Sequence, residues 1–213
     1  DAGKSGITTL IFTDAGRGSL INSLHSLAWE YGNRIDQKLV SNYARNLLNE
    51  LIKSEDYYLE DKELNISSYK NQDGGYGILP YAGSDLKLTA LITPLIKEKA
   101  DANSLKMYFY NEILADSNVK APALYALAVL GEPVLLDLQK AVKVQNLSLE
   151  DYIFLALACD AIGDLSTANQ IYSGIISPQL ERKDPYIRVK AEGKNIDEIY
   201  SLTALAAVLA SRI

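Results

Sequence analysis

Over most of its length this chain alternates segments that are apolar on every side with segments that are apolar on one side only, and few folds satisfy that pattern. Thr89–Ile96, Ala121–Leu130 (APALYALAVL), Ile153–Ile162 and Leu202–Ala210 carry almost no strongly polar residue apart from Asp160. Between them Leu105–Leu114 is mixed, while Val134–Val142 and Leu165–Ile176 are amphipathic, the last with Ala168, Ile171, Tyr172 and Ile175 on one side. A helix apolar all round has to be buried, and a striped one is half exposed. Alternation of the two therefore predicts an inner layer of helices wrapped by an outer one.

An earlier pair extends the pattern. Gly18–Tyr31 carries Leu20, Leu24, Leu27, Ala28 and Tyr31 at helical spacing. Ile35–Lys53 pairs Leu39/Val40, Tyr43/Ala44, Leu47/Leu48 and Leu51/Ile52 against Asp36, Lys38, Asn42, Arg45, Asn49 and Lys53, the mark of an outer helix. The expectation is an all-α chain arranged as an α/α toroid or open horseshoe, with about five inner and four to five outer helices.

Boundary residues agree with that reading. Ser148 with Asp151, and Asn195 with Glu198, have the form of N-caps with an acid three positions on. Gly131 and Gly163 stand where inner helices should stop, and Pro133 suits the first turn of the next outer helix. From Pro178 to Lys194 prolines break the helices and Tyr186-Ile187-Arg188-Val189-Lys190 alternates, so a small β-hairpin is expected near 181–192. Ile7–Phe12 reads as a short N-terminal strand. Residues 1–13 are taken as an extended lead-in from a preceding region and 14–213 as one toroid domain. The polar stretch Ser54–Ser68, with Tyr57 and Tyr58, has no assignment.

Internal repetition is weak. Leu88-Thr89-Ala90-Leu91 recurs as Leu202-Thr203-Ala204-Leu205, each after an aspartate (Asp85, Asp197). Leu127-Ala128-Val129-Leu130-Gly131 is echoed by Ala158–Gly163 one hairpin later. That second spacing is near the roughly 34-residue period of tetratricopeptide repeats, which makes such a solenoid the alternative fold. The long glycine loop at 72–80 argues against it, because those repeats have short uniform turns.

Composition narrows the partners. The 213 residues, 48% hydrophobic and 23% charged, are enough for a proper globular core. A net charge of −6 gives no electrostatic reason to expect nucleic acid or an anionic membrane. No apolar run reaches the roughly 20 residues of a membrane span, so no membrane insertion is expected. A single cysteine, Cys159, excludes an intrachain disulfide and a cysteine-cluster metal site. The chain opens Asp1-Ala2-Gly3-Lys4-Ser5, without an initiator methionine or a signal-peptide pattern, and is expected to be a domain of a longer protein or a processed form.

The most distinctive local motif is Gln72-Asp73-Gly74-Gly75-Tyr76-Gly77-Ile78-Leu79-Pro80, followed by Ser84-Asp85-Leu86-Lys87-Leu88-Thr89-Ala90-Leu91. Its glycines permit close backbone approach, and Tyr57, Tyr58, Tyr69, Tyr76 and Tyr81 crowd around it. Asp73-Gly74-Gly75-Tyr76-Gly77 leading into Asp85–Ala90 resembles the corresponding stretch of the thioester domain of alpha-2-macroglobulin and complement proteins. Gln72–Tyr76 is also similar to the aromatic–glycine repeats of terpenoid cyclases and protein prenyltransferases. In helix order the resemblance covers Asp14 to Ile213, in specific motif only about twenty residues. It implies an α/α toroid, and a fold is not in itself an activity.

The chemistry that the resemblance would bring can be checked against the residues. The thioester family carries Gly-Cys-Gly-Glu-Gln at the entrance to an early inner helix, and the match here is Gly16-Arg17-Gly18-Ser19-Leu20. Arg17 occupies the thiol position and Leu20 the carboxamide position, and neither side chain can form an acyl–sulfur bond. His25 lies too early for the family's catalytic histidine and, with Trp29 four residues on, reads as a packed histidine. The prenyltransferase zinc site needs Asp, Cys and His from separate helices, whereas Cys159 and Asp160 are adjacent and point about 100° apart. Cys159 reads as a small buried hydrophobe and Asp160 as a cap or a partner for a neighbouring helix end. Gly3-Lys4-Ser5 ends like a phosphate-binding loop, but the strand-like Ile7–Phe12 follows where that loop requires a helix.

The expected function is a non-catalytic structural or binding domain of a larger surface-exposed or secreted protein, with no cofactor and no metal. Its partners would be flanking domains and a protein or glycan ligand. The ligand-binding mouth would be Tyr69, Asp73, Tyr76, Tyr81 and Asp85. Two alternatives stand beside it. One is a carbohydrate-active or carbohydrate-binding toroid in which Asp73 and Asp85 act as a carboxylate pair. The other is a tetratricopeptide-like, cytoplasmic peptide adaptor.

Overall fold

The computed structural model describes residues 15–29, 32–52, 58–60, 64–115 and 117–213. The expected strand at Ile7–Phe12, the lead-in 1–13, Tyr31 and Tyr57 lie outside the described residues. The chain divides into two compact units, one up to Asn65 and one from Ile66 onward.

In the first unit, helices α1 (Ala15–Ala28) and α2 (Ile35–Leu51) pack together. Ile21, Leu24 and Ala28 meet Ala44 and Leu48, with Leu47, Leu51, Ile52 and Leu59 around them. Each large side chain so buried stabilises by about 1.5–3 kcal/mol. The end of α1 is satisfied from α2: the buried Ser41 hydroxyl and the Arg45 guanidinium both donate to the Ala28 carbonyl, each at 2.8 Å. Asn49 holds Leu59 like a strand neighbour, its amide donating to the Leu59 carbonyl and its oxygen accepting the Leu59 N–H, both at 2.9 Å. Trp29 follows the last residue of α1 and is 68% exposed.

The second unit holds helices α3 (Leu86–Ile96), α4 (Ala102–Ala115), α5 (Ala121–Val129), α6 (Leu135–Ala141), α7 (Leu149–Ala161), α8 (Leu165–Ile171) and α9 (Ile196–Ala210). Neighbours in space are not neighbours in sequence: α3 lies on α5, α5 on α7, and α7 on α9. The even-numbered helices cover this row, α4 against α5, α6 against α5 and α7, and α8 against α7. Burial follows the sequence pattern. Nearly every residue of α5 and of Ile153–Cys159 in α7 is buried, whereas α6 and α8 bury only Leu138, Ala141, Ala168 and Ile171. Tyr125 and Phe154 meet across the α5–α7 seam with ring centroids 5.8 Å apart.

The helix ends expected from sequence are present. Ser148/Asp151 and Asn195/Glu198 are reciprocal capping boxes. Both α5 and α7 close on a left-handed glycine, Gly131 at φ 78° and Gly163 at φ 84°. In each the residue after the glycine reaches back, Glu132 N–H to the Leu127 carbonyl and Asp164 N–H to the Cys159 carbonyl. Pro133 falls before α6 rather than in its first turn, since the helix begins at Leu135.

The connection from α8 to α9 runs through a π-helical turn (Tyr172–Ile176), a 3₁₀ turn (Ser177–Gln179) and the expected antiparallel hairpin. Strand β1 (Leu180–Lys183) pairs with β2 (Tyr186–Val189), Leu180 opposite Val189 and Lys183 opposite Tyr186, across a cis Asp184–Pro185 peptide. Strand β2 lies on α9, where Val189 N–H donates to the Thr203 hydroxyl at 3.0 Å. The described chain is thus mostly helical with one small two-stranded sheet.

Candidate functional site

The glycine motif folds back on the start of α3. A 3₁₀ turn (Ile66–Tyr69) leads into an antiparallel bridge between Lys70 and Tyr76, with Asn71 N–H donating to the Gly75 carbonyl and Gly77 N–H to the Tyr69 carbonyl. Glycine is required at position 75 by crowding: a Cβ there would lie 2.6 Å from the Tyr108 ring and 2.7 Å from Ser84 Cβ. The turn is therefore packed between α4 and the entry to α3.

Each polar group of the motif has a structural task. One oxygen of Asp73 accepts the Gly75 N–H at 2.9 Å and the Ser84 hydroxyl at 2.7 Å. The Asn71 amide donates to the Ala82 carbonyl at 3.0 Å and to Ser84 Oγ at 3.1 Å. Asp85 is the N-cap of α3, accepting the Leu88 N–H at 2.6 Å. The buried Thr89 hydroxyl accepts the Tyr76 N–H at 3.0 Å and donates to the Asp85 carbonyl at 2.7 Å. Lys70 reaches Ser104 Oγ at 2.9 Å and Asp101 at 3.6 Å. Asp101 in turn accepts from the Ser104 hydroxyl and lies below the usual carboxylate range, mainly through that bond and with help from the Lys70 charge.

The five residues expected to form a mouth are thus placed unequally. Tyr69 and Tyr76 are in the core, and burial, with the Asp101 charge, pushes the Tyr76 phenol up. Asp73 and Asp85 are exposed carboxylates at the two ends of one turn, both engaged by backbone N–H groups. Tyr81, 85% exposed, projects alone from the loop tip. Of the residues aligned to the thioester motif, Gly16–Leu20 form the first turns of α1, with Arg17 and Leu20 exposed.

Two concavities lie elsewhere in the second unit. A groove of about 620 Å³ opens where α5 and α7 end side by side, lined by Gly131, Glu132, Val134, Leu135, Gln139 and Asp164 among others. Glu132 accepts from Lys106 and from the Tyr110 phenol, both at 2.7 Å. These bonds hold its carboxyl below the usual range and push the phenol up to about 12. Asp164 caps α8 through the Thr167 N–H and is lowered for that reason. A hollow of about 370 Å³ marks the other end, among Lys87, Ser148, Glu150, Gly193, Lys194 and Ser201. There the first turns of α3, α7 and α9 converge, and Lys87 of α3 is ion-paired with Glu150 of α7. Helices α3, α7 and α9 therefore run in one direction, their starts gathered at one end, and α5 runs with α7, their stops side by side at the other.

No family model, no curated protein and no solved structure matches this chain.

The remaining candidates resolve structurally. Cys159 is buried in α7, and burial, aided by the Asp164 charge, pushes its thiol up to about 11, which leaves it a neutral packing group at ordinary pH. Asp160 pairs with Arg212 at 3.5 Å, tying the end of α7 to the end of α9, the neighbouring-terminus role expected of it. Among the described residues no three His, Cys, Asp or Glu side chains gather as a metal ion would need. No helix among them is long and apolar enough to cross a membrane. The groove at Glu132 and Asp164 was not singled out from the sequence. Its only advance signal was the echo of Leu127–Gly131 in Ala158–Gly163, which placed two like helix ends side by side.

Proposed function

We propose that this chain is a non-catalytic structural or binding module of the α/α-toroid kind, part of a larger surface-exposed or secreted protein. It resembles a thioester domain whose thioester has been lost. The observation that carries this reading is the fate of the glycine motif: Asp73 and Asp85, the two carboxylates best placed for chemistry, are both acceptors for the backbone that shapes the turn. A carboxylate that must hold a loop is a poor general acid, because protonating it removes an acceptor. The parallel row α3–α5–α7–α9 under an outer layer supports the toroid architecture. With Tyr69 and Tyr76 in the core, Tyr81 is the exposed ring of the expected mouth for a protein or glycan ligand.

The test combines a glycan panel with intact-mass measurement. Asp73→Asn is expected to lower thermal stability by a few degrees, about the effect of 1 kcal/mol in a chain of this size, with no turnover to abolish. Methylamine is expected to leave the mass unchanged. Glycan hydrolysis lost in Asp73→Asn, or a methylamine adduct, would overturn the reading. A tetratricopeptide-like adaptor is the second reading, favoured by the matched ends of α5 and α7 and the groove between them. Binding of an extended peptide that is lost on changing Gln139 to Arg would support it.

A further inference from the structure

Helix α9 differs from α5 and α7 in what covers it. One side of α9 buries Ile199, Leu202, Leu205, Ala206 and Leu209. The opposite side is also apolar and faces solvent: Ile196 is 61% exposed, Tyr200 65% and Val208 44%, with Ala204 and Ala207 exposed between them. Positions 196, 200, 204 and 208 follow one another at four-residue spacing, so they form a continuous ridge along the helix. Tyr186 and Ile187, on the strand that lies against α9, are exposed as well. Apolar ridges of this length on a surface mark contact sites.

We propose that this ridge is a self-association surface, with α9 pairing antiparallel with α9 of a second copy about a two-fold axis at Ala204. The argument for a second copy is complementarity within the ridge itself. An isologous contact must match a surface to its own rotated image. With Ala204 on the axis, Tyr200 falls opposite Val208 of the partner subunit, so the largest side chain meets a smaller one. The small Ala204 and Ala207 let the helices approach at the centre. Charge is also matched end for end. Asp197 stands exposed in the first turn of α9, on the side of the ridge, and Arg212 just past its last turn, so the antiparallel pairing brings carboxylate towards guanidinium at both ends. Arg212 bonds Asp160 at 3.5 Å and the Tyr125 phenol, and its five N–H donors exceed what those two partners use. Parallel pairing would set acid against acid. A contact built on one helix and the adjoining hairpin is small beside the roughly 1,200–2,000 Å² of a stable interface, so weak, reversible association is expected.

Sedimentation velocity on the whole chain across the micromolar range, together with a disulfide-trapping experiment, tests this. Cys159 is buried, so Ala204→Cys supplies the one accessible thiol. Mild oxidation should convert Ala204→Cys to a covalent dimer, while the exposed Gln139→Cys control stays monomeric. Tyr200→Glu, with an unchanged circular dichroism spectrum, should weaken association by at least about tenfold, equivalent to 1.4 kcal/mol. A chain that is monomeric throughout, leaving the ridge to a different partner, would overturn the proposal. So would a dimer indifferent to Tyr200→Glu, or equal trapping at positions 204 and 139.

Discussion

Helices α3 and α9 carry the same four residues, near the start of α3 and midway along α9, and put them to the same use. In Leu88-Thr89-Ala90-Leu91 the threonine hydroxyl accepts the N–H of Tyr76, which sits in an antiparallel bridge. In Leu202-Thr203-Ala204-Leu205 it accepts the N–H of Val189, the last residue of β2. In both places an extended segment, doubled back on itself, is pinned to an inner helix by one hydroxyl, and the pinned residue is buried. The two regions differ in what lies outside. Around Thr89 the turn is wedged against Tyr108 of α4 and Ser84. Thr203 is half-buried, and Ala204 beside it faces solvent. A short repeated motif therefore specifies a local contact, while the layer packed over it decides how much that contact matters.

Paired substitutions measure this difference. The largest effect is expected from truncating the pinned residues: Tyr76→Ala should cost about 3–5 kcal/mol and Val189→Ala about 2 kcal/mol, read from urea unfolding. Equal losses would break the comparison. Next, Thr89→Val should cost about 1–3 kcal/mol, because it strands the Tyr76 N–H in a buried site. Thr203→Val, at a wetter site, should lie at or below the low end of that range.

The caps should not distinguish the regions at all. Asp85→Ala and Asn195→Ala each remove one side-chain acceptor from a first turn, and each should cost about 1 kcal/mol. A marked inequality would show that capping here depends on the surrounding layer.

Smaller still is the effect of the outward side of α9, where Val208→Ala should change monomer stability by less than about 0.5 kcal/mol. Thiol chemistry sharpens the same contrast without changing stability. Native Cys159 should resist iodoacetamide at pH 8, because burial keeps its ionisation near 11. Its neutral form is favoured in the fold, so any stability linked to it is complete below the ordinary value of 9.0 and is lost as pH rises towards 11. A cysteine placed at Ala204 should react freely at pH 8, and comparable rates at the two sites would contradict the burial difference between α7 and α9.

Helix types were legible in the sequence because they follow from side-chain periodicity, and helix ends because they follow from local hydrogen bonding. Ser148, Asn195, Gly131 and Gly163 each do what their residue types imply, since a cap or a left-handed stop involves atoms only a few residues apart. The glycine motif was recognisable as a tight turn for the same reason. Its tyrosines were harder to place: nothing near Tyr76 in sequence says that Thr89 will take its N–H or that Tyr108 will press on the adjacent Gly75.

The amino-acid order by itself determined that this chain is mostly helical, that its helices come in fully apolar and one-sided kinds, and where several of them begin and end. Only tertiary structure decided that α3, α5, α7 and α9 lie side by side, that Tyr69 and Tyr76 turn inward while Tyr81 turns out, and that α9 is left half exposed despite its apolar composition. The physical reason is range. Periodicity and capping are settled within one or two turns of backbone, whereas burial depends on which distant segment arrives to exclude water.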